Sequence, residues 1–185
     1  MPIDTIDPNP VELHLHSPHW ADMAVEESAR LKAALGVLLV TVHHIGSTSI
    51  PEILAKPIID LIPIVRSIEA LDAREDAVRA LGYKWFGEFG LPGRRYCYRV
   101  DPVSKKRLFQ LHCYQEDNGA VTRHLAFRDY LRAHPRLAKE YEGEKLRAAA
   151  AQPDDTNAYN DEKDGWIKRI EKDALAWWAN RPPAP

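Results

Sequence analysis

His44-Ile45-Gly46-Ser47-Thr48-Ser49-Ile50-Pro51-Glu52-Ile53-Leu54-Ala55-Lys56-Pro57-Ile58-Ile59-Asp60-Leu61-Ile62 is the stretch whose reading decides the fold. It reads as a strand, a turn of small residues, a short helical turn and a second strand carrying one carboxylate. Gly46 permits a backbone geometry and a close ligand approach that a Cβ would block. Three hydroxyl residues follow it, and the free N–H groups of such a turn favour an anion. Asp60 stands inside the apolar run Ile58-Ile59-Asp60-Leu61-Ile62, where a charge needs a partner or a metal ion. The expectation is a phosphate cradle beside a buried carboxylate.

The flanking chain supplies the rest of an α+β domain. A helix is predicted over 19–35, with Trp20, Ala24, Leu31 and Leu35 on one face and Gly36 as its stop. A β-rich run over 38–45 delivers the chain to Gly46. Beyond Asp60 the strand runs to Val65, and Pro63, lacking a ladder donor, argues for a sheet edge or a strand end. Ser67 caps a predicted helix over 68–81, with Ile68, Leu71, Val78 and Leu81 buried. Strands follow at 83–86, 95–100 and 108–114, then helices at 122–133, 135–151 and 160–179. Strands interleaved with helices, then antiparallel strands, then a helical half, make a mixed sheet flanked by helices. Residues 1–18 read as an extended arm with an edge strand at 11–15, residues 19–180 as one domain sharing one core, and 181–185 as a tail. The passage to the helical part falls near residue 120.

With 185 residues, 45% hydrophobic and 28% charged, the chain has enough material for a proper core. The formal charge of −2 gives no whole-molecule attraction to nucleic acid or to an acidic membrane. No apolar run approaches the roughly 18 residues of a membrane span, and Met1-Pro2-Ile3-Asp4 has no signal-peptide character. Two cysteines, Cys97 and Cys113, cannot make a disulfide framework and read as buried thiols. A cytoplasmic protein is the expectation. His14 and His16 share a strand face, either as a metal pair or as surface histidines.

The run from His44 to Pro51, followed by Lys56-Pro57-Ile58-Ile59-Asp60, resembles the GrpB family of small bacterial proteins. The resemblance continues in Pro92-Gly93-Arg94-Arg95-Tyr96, in Leu111-His112, in the run from Phe127 to Pro135, and in Tyr159 with Lys163. It extends from Trp20 to Trp178 in the right order. That family is similar to nucleotidyltransferases of the polymerase-beta type, which carry a Gly-Ser turn after one strand, acidic residues on the next, and a third on a later antiparallel strand. The resemblance implies nucleotidyl transfer with Mg²⁺ or another divalent metal, and the family is sometimes joined to a dephospho-CoA kinase domain.

On this pattern Gly46, Ser47 and Thr48 hold phosphate, while Lys56, Arg95, Arg128 and Lys163 meet the remaining negative charge of a nucleotide or other phosphorylated small molecule. Asp60 and His112 hold the metal or move a proton. Three positions depart from the pattern. Ile62 occupies the place of the second acid, which two-metal chemistry requires. Glu52 lies in the first turn and would repel a phosphate. Gln110 replaces a histidine and is a poor metal ligand. Asp60 also reads as an anchor for Lys56 or an arginine, and His112 as a hydrogen-bonded core residue. His124, Arg128 and Arg132 form a basic helix stripe beside Asp129, either a phosphate contact or a solvated face. Trp85, Phe86 and Phe89 either stack a base or belong to the core. Three functions therefore stand open: a nucleotidyltransferase, a non-catalytic nucleotide-binding or regulatory module, and a repurposed fold doing metal or acid–base chemistry on a small acidic metabolite.

Overall fold

Residues 10–181 are described in a computed structural model of the chain; positions 1–9 of the arm and 182–185 of the tail lie outside the described residues. The elements run α1 (His19–Leu35), β1 (Leu39–Ile45), β2 (Ile59–Val65), α2 (Ile68–Asp72), α3 (Glu75–Ala80), β3 (Lys84–Trp85), β4 (Arg95–Val100), β5 (Arg107–Gln115), α4 (Gly119–Ala133), α5 (Pro135–Ala151) and α6 (Thr156–Ala179). Five strands form one sheet in the order β1-β2-β5-β4-β3. The β2/β5 pair is parallel and the other three pairs are antiparallel. This is the expected α+β architecture of a mixed sheet with a helical C-terminal part.

Strand alternation sorts the side chains onto two faces. Ile59, Leu61, Val65, Phe109, Leu111, Cys97 and Cys113 point to one face and pack with Trp20, Ala24, Leu31 and Leu35 of α1 and with Ile68, Leu71 and Val78. Both cysteines are buried free thiols, as expected. On the other face, Ile45, Ile62, Ile64 and Tyr114 pack against Ala120, Val121 and Leu125 of α4. Ile50 and Ile53 join Leu131, Ala138, Tyr141, Trp166 and Ile170 in a further cluster among the helices. The apolar interior is thus divided by the sheet, where the sequence predicts one shared core. No helix among the described residues is long and apolar enough to cross a membrane.

Several local expectations need correction. β2 runs through Pro63 and lies between β1 and β5, so Pro63 marks neither an edge nor an end. The parallel ladder to β5 instead skips positions 62 and 63, which accommodates the missing donor. The helix predicted over 68–81 is two short helices, although Ser67 caps the first as expected, its Oγ accepting from Ala70 N at 3.0 Å. Asp72, at the end of α2, takes a two-pronged ion pair from Arg95 at 2.6 and 2.7 Å. The strand at 83–86 shrinks to Lys84–Trp85. The strand at 11–15 is a single bridge, His14 to Ala55. His14 lies beside Glu12 at 3.6 Å, and His16 packs edge-on against Trp20. α4 and α6 begin earlier than predicted because Asn118 and Asp155 cap them.

Candidate functional site

β1 ends at Gly46, whose φ of 70° suits glycine, and the chain then makes one 3₁₀ turn over Ser47–Ser49. Ser49 Oγ donates back to Gly46 O at 2.6 Å. Thr48 Oγ1 donates to Ile58 O at 3.3 Å and accepts from His44 Nε2 at 2.9 Å. Burial lowers the His44 pKa to about 4 and so holds the imidazole neutral. Ser47 Oγ contacts Tyr141 OH at 3.4 Å across the cleft. The sharp turn brings the backbone against Asp60, and a Cβ on residue 46 would sit 2.5 Å from Asp60 Oδ2. The glycine is therefore required by the carboxylate as well as by φ.

Asp60 projects from β2 into a cleft of about 360 Å³ lined by the Gly46 turn, β5 and the three C-terminal helices. Its Oδ1 lies 3.6 Å from His112 Nε2 on the neighbouring strand. No lysine or arginine pairs with Asp60 among the described residues, so the reading of Asp60 as an anchor for Lys56 or an arginine is not what the fold builds. His112 Nδ1 is buried without a hydrogen-bond partner, which does not fit the reading of a satisfied core histidine. His124 of α4 stands next to the His112 ring, with centroids 5.9 Å apart. Burial and the Arg123 charge push its pKa down to about 3.

The opposite wall is cationic. Lys163 of α6 is 7% exposed, and its ammonium lies 3.9 Å above the Tyr159 ring. Lys56 lies over the same ring at 5.0 Å. Lys145 of α5 is 1% exposed and donates to Leu54 O. Burial lowers the pKa of all three, Lys56 to about 8 and Lys145 and Lys163 to about 7, with the neighbouring lysines adding to the shift at Lys163. Neither Lys56 nor Lys163 has a carboxylate partner among the described residues. Arg123 is tied to Glu171 and Arg128 to Asp129. Arg128 also donates to His44 O at 3.0 Å and so fixes α4 against β1.

Eight of the nine residues singled out from the sequence meet in this cleft: Gly46, Ser47, Thr48, Lys56, Asp60, His112, Arg128 and Lys163. Arg95 does not. It alternates with Tyr96 and so faces the far side of the sheet, where Asp72 and Glu88 hold it. Phe86 and Phe89 are stacked on Tyr98 and Tyr96, and Trp85 packs against the sheet core, as the core reading expects, and none of the three lines the cleft. Arg132 spends its Nε on Ser49 O at 2.8 Å and belongs to the packing of α4. Sequence reasoning passes over Lys145, Tyr141 and Glu171, whereas His124, named there in the basic stripe of α4, does line the cleft.

A two-metal centre needs several carboxylates around both ions. Ile62 is fully buried under α4, and Glu171 is engaged by Arg123. No group of three or more metal-ligating side chains exists among the described residues. Asp60 with His112 alone does not fit a pair of divalent ions.

A model of the GrpB protein family matches residues 10–173. The chain belongs to the GrpB family. It is similar to UPF0157 protein YqkA of Bacillus subtilis, 47% identical over 92% of this chain but only 49% of YqkA, so it spans about half the length of that relative. The crystal structure of conserved protein GrpB from Enterococcus faecalis matches with a TM-score of 0.86 and 42% identity, over 91% of this chain and all of that one. The Cid1 poly(U) polymerase matches with a TM-score of 0.52 at 14% identity, over 74% of this chain and 44% of that one, a likeness of fold alone. Seen on this GrpB fold, Glu52 is not the obstacle the sequence makes of it. It is exposed, with φ of 63°, and does not line the cleft.

Proposed function

We propose that this GrpB protein binds a nucleotide by its phosphate chain, in the cleft between the Gly46-Ser47 turn and the lysines of the helical part. The observation that carries this reading is the pair Lys56 and Lys163. Two ammonium groups are held out of bulk water and without acidic partners, facing a turn whose hydroxyl and backbone suit an anion. A buried unpaired cation is costly, and a bound phosphate chain supplies the missing counter-charge. The Cid1 structures of like fold hold MgATP and MgGTP, which favours a nucleotide over a bare anion. Mg²⁺ enters as a companion of the phosphates, with Asp60 as the carboxylate nearest to them.

Ile62 in place of a second acid favours binding, in a regulatory or repurposed role, over two-metal nucleotidyl transfer. Calorimetry and thermal shift with mono-, di- and triphosphates, with and without Mg²⁺, test the reading. Stabilisation should grow with phosphate number, and Lys163→Met should weaken binding by about tenfold or more, about 1.4 kcal/mol. If no nucleotide raises the melting temperature at millimolar concentration, the reading is wrong. Pyrophosphate release that disappears in Asp60→Ala would restore the transferase.

A further inference from the structure

Across the sheet, the face that bears the cleft reads in a fixed order. Gly46-Ser47 lies at the β1 side, Asp60 on β2, His112 and Gln110 on β5, and Tyr96 and Tyr98 on β4. Arg107, the first residue of β5, comes onto this face because the β4/β5 register shifts between Arg99 and Val100. Its guanidinium lies over the Tyr98 ring, 4.3 Å from the centroid, and Nη1 donates to Tyr96 OH at 3.4 Å. Tyr96 OH in turn donates to Gln110 Oε1 at 3.0 Å, and Gln110 lines the cleft. No carboxylate pairs with Arg107 among the described residues, and unlike Arg66 and Arg94, which also lack one, it does not spend its donors on backbone carbonyls. The Arg107 charge is close enough to Lys56 to depress its pKa.

An arginine held by an aromatic face and a hydroxyl, rather than by an acid, keeps its remaining donors aimed and unspent. That is the arrangement for planar two-pronged recognition of a carboxylate or phosphate. Its place matters as much as its chemistry. Asp60, on the intervening strand β2, stands between Arg107 of β5 and the Gly46-Ser47 turn, so an anion on Arg107 approaches it from the side opposite the turn.

We propose that Arg107, braced by Tyr96 and Tyr98 and flanked by Gln110, is a second anion subsite. It takes the carboxylate or phosphate of a small co-substrate bound beside the nucleotide, across Asp60 from the nucleotide's phosphates. The two-ligand arrangement rests on the nucleotide reading above; the anion site at Arg107 does not.

The test is a titration of the full chain, labelled with ¹⁵N-arginine, followed at the Arg107 Nε–Hε resonance, which Arg107→Gln identifies by its absence. Inorganic phosphate and acetate are added separately, with and without a saturating non-hydrolysable ATP analogue. A saturable shift at Arg107 is expected, with a Kd that the analogue changes by no more than about twofold. Whichever anion binds more tightly names the co-substrate's group. Absence of a saturable shift overturns the proposal. So does a shift that the analogue abolishes, since Arg107 would then serve the nucleotide's own phosphates. If the analogue does not bind at all, the nucleotide reading fails, and a saturable shift in the free protein still upholds the Arg107 site.

Discussion

Gly46 and Asp60 define each other. The left-handed backbone at residue 46 and its 2.5 Å approach to the carboxylate mean that Gly46→Ala must both strain the turn and push Asp60 aside. Such strain costs about 1–3 kcal/mol, so the variant should unfold at lower urea and lose nucleotide affinity together. Unchanged affinity in a folded variant would count against a role for the turn. Lys163→Met should separate the two properties. Removing a buried ammonium with no counter-ion should raise the stability of the free protein by about 1–2 kcal/mol while weakening nucleotide binding. A variant both less stable and unaltered in binding would contradict this account of the cleft. These residues were legible because each carries its chemistry in a marked context: a glycine before hydroxyls, an acid in an apolar run. Lys145 was not legible by residue type. It became a cleft residue by taking a place in the buried stripe Ala138, Tyr141, Lys145, Ala148 of α5, a spacing that reads as apolar core apart from the lysine.

The same lesson recurs at the scale of the element. Trp20, Ala24, Leu31 and Leu35 are the expected buried face of α1, and Glu27 lies on that face at the same spacing. It is 2% exposed and accepts from Tyr83 OH at 2.9 Å, Arg30 at 2.8 Å and Arg99 at 2.6 Å. Burying one carboxylate under three donors ties α1 to β4. Glu27→Ala leaves the Arg99 charge without its partner and should cost about 3–5 kcal/mol in equilibrium denaturation. A loss below about 1 kcal/mol, the worth of a surface pair, would show that water already screens the network. Where elements were misjudged, the deciding contact lay far away in sequence. The break between α2 and α3 has no glycine or proline to announce it, and Asp72 reaches over to Arg95 at that point. Arg95 is expected in the cleft because it belongs to a segment that resembles the family. The alternation of β4 sends it to the other face, and only the pairing of Tyr96 with His112 reveals which parity is which.

For the whole molecule, fold class was readable because strand, turn and helix signals agree along the chain, whereas the division of the interior by the sheet depends on strand order, which no local signal carries. The consequence with the widest reach is electrostatic. Lys145 and Lys163 hold their last proton only up to about pH 7 and Lys56 to about pH 8, against an ordinary value of 10.5. Between pH 7 and 9 the unfolded chain therefore binds more protons than the native one, and native stability must rise with pH across that window. Below it, all three are charged in both states, and the native protein carries the full cost of burying them. A bound phosphate chain reverses the preference, since it holds the lysines protonated. Nucleotide affinity should consequently fall as pH rises from 7 to 9, over the interval in which the free protein gains stability. Urea midpoints and calorimetric Kd values at pH 7, 8 and 9 check both slopes. Lys163→Met should flatten each of them, because it deletes one of the protons exchanged. A urea midpoint that falls across this window would mean that the lysines are not paying for their burial in the free protein, and the case for an anion as their missing partner would go with it.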